Sequence, residues 1–315
     1  MAVYTHISGE DLTQYLTLFD LGRLVSLAGI AEGVENTNYK LVTTQGTFVL
    51  TLFEKRTKAE DLPFCIAFME HLRGADIHCP ALVGSRRGEK TVPFQGKPAV
   101  LAAFLEGDCP RRIEKFHVAA VGATLARMHI AGEKFWMRRD NGMSLPAWKK
   151  LVASCGKKAG SVAPGLFPFL RKELEYLEKN LPKGLPAGAV HADLFPDNVF
   201  FTGRRLTGVI DFYFSCTETF AYDLMLTLNA WCFAPSGRPD AERMAALLGA
   251  YKKERPLSAA ESEALPYFGR AAALRIVSTR LYDMLYPVEG AVVRAKDPLE
   301  YVRILKFHQA EGLPA

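Results

Sequence analysis

The stretch "HADLFPDNVFF", His191 to Phe201, sets one His, two Asp and an Asn within eight residues and then runs into an apolar, strand-like segment. Such charge beside a buried strand has two readings. One is a polar turn that satisfies its own backbone; the other is a loop that holds a metal ion and takes a proton. Spacing favours the second. Asp193 precedes Asn198 by five positions, and Asp211 in "GVIDFYF" follows Asn198 by thirteen. The segment between, "NVFFTGRRLTGVID", reads as two short strands joined at Thr202-Gly203-Arg204-Arg205, a hairpin that would bring Asn198 and Asp211 side by side with Asp193 just outside. Two oxygen-bearing side chains on adjacent strand ends suit Mg²⁺, a hard ion that keeps waters and bridges a few protein oxygens to phosphates. A nearby carboxylate off the metal can accept the proton of an attacking hydroxyl. Together these are the parts of metal-assisted phosphoryl transfer.

Outward from this motif, the chain of 315 residues is long enough for two domains and a sizeable core without disulfide or metal staples. A net charge of +5 suits an anionic ligand but is too small and scattered to point to nucleic acid. Cys65, Cys79, Cys109, Cys155, Cys216 and Cys232 form no C-x-x-C pair and read as reduced thiols of a cytoplasmic protein. The opening "MAVYTHISGEDL" lacks the pattern of a signal peptide, and no apolar run approaches the ~20 residues of a membrane span.

Ser8 followed by Asp11 predicts a capped helix start. "NYKLVTTQGTFVLTLF" predicts a hairpin, "KAEDLPFCIAFMEHLRGA" a helix stopping near Gly74, and "ALVGSRRGEKTVPFQGKPAVLAAFL" a further strand pair. Beyond Glu106 the helical segments are "EKFHVAAVGATLARMH", "FPFLRKELEYLEKNL", "FAYDLMLTLNAWCF", "AERMAALLGAYKKE" and "AAALRIVSTRLYDML". We therefore expect an α+β chain with a small antiparallel lobe carrying one main helix over residues 1–105, and a larger, mostly helical lobe over 106–315.

The motifs "HADLFPDN" and "VIDF" resemble the catalytic and metal-binding loops of the protein-kinase-like superfamily. The helical second lobe resembles its small-molecule branch, the aminoglycoside phosphotransferase and choline kinase-like enzymes. The phrases "EGVENTNYKL", "FVLTLFE", "HADLFPDNVFF", "AYDLMLTLNAW" and "RLYD" are similar to bacterial homoserine kinases of the phosphotransferase-like type. The resemblance spans essentially the whole chain and implies a two-lobed protein-kinase-like fold, ATP and Mg²⁺ as cofactors, and L-homoserine as the favoured acceptor. It assigns Asp193 as the catalytic-loop acid, Asn198 and Asp211 as magnesium ligands, and His191 as an architectural residue. Asp197 is read either as a turn cap or as added charge near the metal.

On the nucleotide side the chain departs from the pattern. Gly29 and Gly33 stand in the glycine-loop region without a G-x-G, leaving Asn36, Thr37 and Asn38 as candidate phosphate donors or plain turn residues. Thr51 stands where the resemblance calls for a Lys, and "EDLPFCIAF" offers no partner Glu. Lys40, then Lys55, are the substitute cations. "VLAAFLEG" matches the adenine-reading hinge, with Ala103 and Leu105 as candidates. For the acceptor, Arg275, Arg280 and Asp283 on one predicted helix and Asp223 and Trp231 on another are candidates. Arg275 and Arg280 lie five apart and do not share one helical face. Other acceptors (choline, ethanolamine, a sugar or an aminoglycoside) remain open alternatives, as does a nucleotide-binding pseudokinase-like module. Neither a nucleic acid nor a membrane is an expected partner.

Overall fold

The computed structural model describes residues 5–30, 36–54, 58–287 and 296–310. Lys55 and the Gly33 region of the nucleotide loop fall outside these residues. The first element, α1 (Gly9–Leu16), begins at Ser8, whose hydroxyl accepts from Asp11 N at 3.0 Å. Strands β1 (Leu24–Gly29), β2 (Thr37–Thr43), β3 (Gly46–Leu52), β4 (Leu82–Val83) and β5 (Ala99–Ala103) form one antiparallel sheet in the order β1-β2-β3-β5-β4. Helix α2 (Leu62–Gly74) lies between β3 and β4 in sequence.

β2 alternates strictly in burial, as a strand with one covered face should. Its Tyr39 and Leu41 pack against Leu12, Tyr15 and Leu16 of α1. Asn38 and Lys40 therefore point to the opposite face of the sheet. The buried side of α2 joins a separate core that runs on through the helical lobe, so α2 ties the sheet to that lobe.

The rest comprises α3 (Lys115–Glu133), α4 (Leu145–Cys155), α5 (Leu166–Asn180), α6 (Phe220–Trp231), α7 (Ala241–Glu254), α8 (Ala259–Leu285) and α9 (Pro298–Ala310). Two small antiparallel sheets interrupt them: β6 (Ala187–Val190) with β9 (Cys216–Thr219), and β7 (Val199–Thr202) with β8 (Arg205–Val209). α4, α9 and β9 were not anticipated from the sequence. α3 lies tightly on β6: a Cβ on Gly132 would stand 2.0 Å from Ala189 O. That close approach fixes the strand leading into His191. Gly107, at φ +123°, lets the interlobe crossing press on the β7–β8 hairpin, where a Cβ would meet Phe201 O at 2.9 Å. Five of the six cysteines, all but Cys109, are buried thiols. Among the described residues no helix is long and apolar enough to cross a membrane.

Candidate active site

The loop from His191 to Asn198 joins β6 to β7. Ala192, at φ +60°, adopts the left-handed conformation, which costs a residue with a Cβ roughly 1–2 kcal/mol. Asp223 of α6 offsets this. It is fully buried, and its two oxygens accept from Ala192 N at 2.9 Å, His191 N at 3.2 Å and His129 Nε2 at 3.1 Å. Burial alone would push its carboxyl up, but the donors, His129 foremost, hold it below the usual range. Burial pushes His129 itself down, and its Nδ1 lies 2.7 Å from the Tyr251 hydroxyl. Asp223 thus holds the loop from beneath and faces no open space. This corrects its expected role at the acceptor. Trp231 is corrected likewise: it is fully buried and its indole N–H donates to Leu194 O at 2.8 Å.

His191 joins the motif's two halves. Burial pushes its pKa down to about 4, so the ring is neutral. Its Nδ1 then accepts from Asp193 N at 3.2 Å while Nε2–H donates to Ile210 O at 3.0 Å. Pairing of Val199 with Val209, and Ile210 N on Asn198 O at 3.0 Å, set Asn198 next to the start of the Asp211 turn. Asp211 adopts φ +64°, ψ +61° at the head of a short 3₁₀ turn. The Asn198 amide nitrogen donates to Asp193 O at 2.8 Å and lies 3.5 Å from Asp193 Oδ2. With its nitrogen on the loop, the amide oxygen is the group that Asn198 could offer a metal. With the Asp211 carboxylate it makes an oxygen-only set, which fits a hard divalent ion. Among the described residues no group of three or more His, Cys, Asp or Glu could hold a metal ion.

Arg139, in the segment after α3, was missed in the sequence. Its guanidinium donates to Tyr213 O at 2.9 Å, Ser215 O at 2.5 Å and Asp61 Oδ2 at 2.8 Å. It thereby fastens the turn after Asp211 to the start of α2. On α2, in the segment where no partner Glu was found, Cys65 is buried, with its thiol pushed up to about 12 by that burial. Thr51, in the place of the expected Lys, donates to Asn38 Oδ1 at 2.7 Å. Lys40 lies on the same sheet face, its ammonium 4.4 Å from the Phe104 ring at the interlobe crossing.

Thr37, by contrast, points into the lobe and hydrogen-bonds Glu54 at 2.7 Å, within a group that includes Lys97 and Thr5. It is corrected to a structural residue. Asn36 is buried, and its Oδ1 finds no partner among the described residues. Ala103 N donates to Ala81 O at 2.8 Å, so its N–H is taken up within the lobe and only its carbonyl is left to face a base. Leu105 follows beyond the paired strand, packed on β8 beside Gly208.

A cavity of about 360 Å³ adjoins the His191–Asn198 loop, lined by Phe195, Asp197, Arg280, Lys296, Glu300 and Tyr301 among others. Both charge signs meet there: Arg280 pairs with Glu300 at 2.6 Å, and Lys296 with Asp197 at 3.1 Å. Asp283, half-buried one turn beyond Arg280, does not line it. Arg275 is almost fully buried and bonds the loop itself, at Ala192 O and, at 3.3 Å, Asp193 Oδ1. A role for it as the acceptor's clamp is therefore corrected.

A small antiparallel lobe bound to a helical lobe, with the acid-bearing loops at their junction, is the two-lobed frame of the protein-kinase-like small-molecule kinases. The model of the phosphotransferase enzyme family matches residues 26–257. A homoserine kinase of Nitrobacter winogradskyi is 52% identical over 99% of this chain and 96% of its own. One of Brucella anthropi is 51% identical over 98% of this chain and 95% of its own. In structure, a spectinomycin phosphotransferase in complex with ADP and spectinomycin superposes with a TM-score of 0.72 at 12% identity, over 97% of this chain and 99% of that one. The chain belongs to the phosphotransferase enzyme family and, within it, to the homoserine kinases.

Proposed function

We propose that the protein transfers the γ-phosphoryl group of ATP to the side-chain hydroxyl of L-homoserine, giving O-phospho-L-homoserine and ADP, with Asp193 as the base. The hydroxyl oxygen forms the new bond to phosphorus, the bond to the ADP oxygen breaks, and the hydroxyl proton passes to Asp193. Asn198 and Asp211 would hold Mg²⁺, which would supply positive charge to offset that of the transferring phosphoryl group. The observation that carries this reading is that the loop bearing Asp193 is bonded to Asn198, and the hairpin that follows sets Asn198 next to the Asp211 turn, in a chain about half identical to homoserine kinases.

ATP lies between the lobes. Asn36, Asn38 and Lys40 serve its phosphates, and the backbone at Leu105 serves adenine. The charged cavity beside Phe195 receives the acceptor's α-amino-acid end. Arg280 faces the carboxylate and Glu300 the ammonium, so a zwitterion would replace their mutual ion pair with two new ones. Asp283 adds negative charge on the same helix. A cytoplasmic setting supplies both ATP and Mg²⁺ and keeps the six thiols reduced.

The test is direct. The protein is incubated with ATP, Mg²⁺ and L-homoserine, and the products are read by phosphorus NMR. We expect a phosphomonoester peak matching O-phospho-L-homoserine, abolished by EDTA. ATP left intact, or cleaved to ADP and inorganic phosphate alone, would overturn the assignment.

A further inference from the structure

Ala192 has a Cβ and a left-handed backbone, and it immediately precedes the proposed base. Such a residue persists only where its surroundings over-determine it. Two buried side chains of opposite charge do so here. Asp223 of α6 takes its N–H, and Arg275 of α8 takes its C=O. From the same guanidinium, Nη2 reaches Asp193 Oδ1 at 3.3 Å. The side chain is 4% exposed, Cζ lies 5.4 Å from the Phe214 ring, and Nε has no partner among the described residues. A buried arginine with one N–H unmatched is costly, and removing it would strand the charges it faces. Its geometry serves the loop rather than a ligand.

We propose that Arg275 is a positioning residue, which clamps the Ala192–Asp193 peptide between α6 and α8 and aims the Asp193 carboxylate at the acceptor hydroxyl. The planar fork of the guanidinium spans a carbonyl and a carboxylate at once, which a lysine ammonium on a flexible stem does not reproduce. The proposal rests on Asp193 acting as the base.

Three proteins are compared for homoserine phosphorylation: wild type, Arg275→Lys and Arg275→Ala, each checked for folding by thermal melting and for nucleotide binding with a fluorescent ATP analogue. Misplacing a catalytic group by about 1 Å costs on the order of 100-fold. We expect kcat to fall by roughly that factor in Arg275→Ala and by about tenfold in Arg275→Lys. KM for homoserine and for ATP should change by less than about threefold in both, as for an interaction made only in the transition state. Methylguanidinium at millimolar concentration should restore part of the Arg275→Ala rate and none of the Asp193→Asn rate. Should Arg275→Ala fail to fold, Arg275→Lys carries the same kcat-against-KM comparison. A variant with wild-type kcat, or one whose loss is wholly a raised KM for homoserine, would overturn the positioning role while leaving the kinase assignment intact. A wild type that does not phosphorylate homoserine would overturn both.

Discussion

Replacing Asp223 with Asn keeps the shape and removes one acceptor. The native carboxylate serves three donors: Oδ1 takes Ala192 N, and Oδ2 takes His191 N and His129 Nε2. An amide has one oxygen to offer. If that oxygen stays on Ala192 N, the new NH₂ faces His191 N–H and His129. His129 can switch tautomer and accept, because its other nitrogen can donate to the Tyr251 hydroxyl. His191 N–H has no such freedom and is stranded. The opposite flip strands the Ala192 N–H instead, at the strained residue. Either way one buried backbone donor loses its partner, at about 1–3 kcal/mol. Relief from burying a charge offsets part of this, leaving about 2 kcal/mol for Asp223→Asn. Asp223→Ala strands both backbone donors and opens a cavity, so about 4 kcal/mol is expected. Urea unfolding gives the stabilities and the kinase assay gives kcat, which should fall in the same order because the loop carrying Asp193 is what loosens. Losses under about 0.5 kcal/mol in both variants, or a destabilised Asp223→Asn with wild-type kcat, would refute the view that Asp223 positions the loop.

Asp193→Asn should lower kcat by ~100-fold or more while leaving ATP-analogue binding nearly intact; retention of about a tenth of the rate would argue against the base assignment. Asp211→Ala should weaken apparent Mg²⁺ affinity, with Mn²⁺ restoring part of the rate; an unchanged Mg²⁺ titration would remove Asp211 from the metal site. His191 and His308 are both held neutral by burial, with pKa values near 4. Their contribution is present above the unfolded value of about 6.5 and is lost as pH falls toward 4, because the unfolded chain gains protons that the native state refuses. Urea stability should therefore drop by up to ~2–3 kcal/mol per pH unit between about pH 6 and pH 4, and a flat profile there would contradict their neutral burial.

The adjacency of Asn198 and the Asp211 turn was legible because one hairpin sets it, and hairpin register follows from local spacing. The β2–β3 hairpin and the Ser8 cap were legible for the same reason. What holds the site in place was not. Asp223 meets residues 31 and 32 positions away, Arg139 meets residues 74 to 78 away, and Arg275 meets residues 82 and 83 away. No local pattern encodes such pairings.

Thr37 was misread despite a usable signal. In a strand of period two it shares a face with Tyr39 and Leu41, not with Asn38 and Lys40. α6 gave no corresponding signal: eleven of its twelve residues are buried, so no exposed stripe separates structural side chains such as Asp223 and Trp231 from ligand-facing ones.

The sharpest measurement compares kcat/KM for L-homoserine and for 3-amino-1-propanol, which lacks only the carboxylate, in wild type and in Arg280→Ala. A charged group left unpaired in a desolvated pocket costs a few kcal/mol, or on the order of 100-fold. Wild type should prefer homoserine by about that factor, and Arg280→Ala should erode the preference through a raised KM for homoserine with KM for ATP nearly unchanged. Equal kcat/KM for the two acceptors in wild type would contradict recognition of an α-amino acid and point instead to an amino-alcohol kinase.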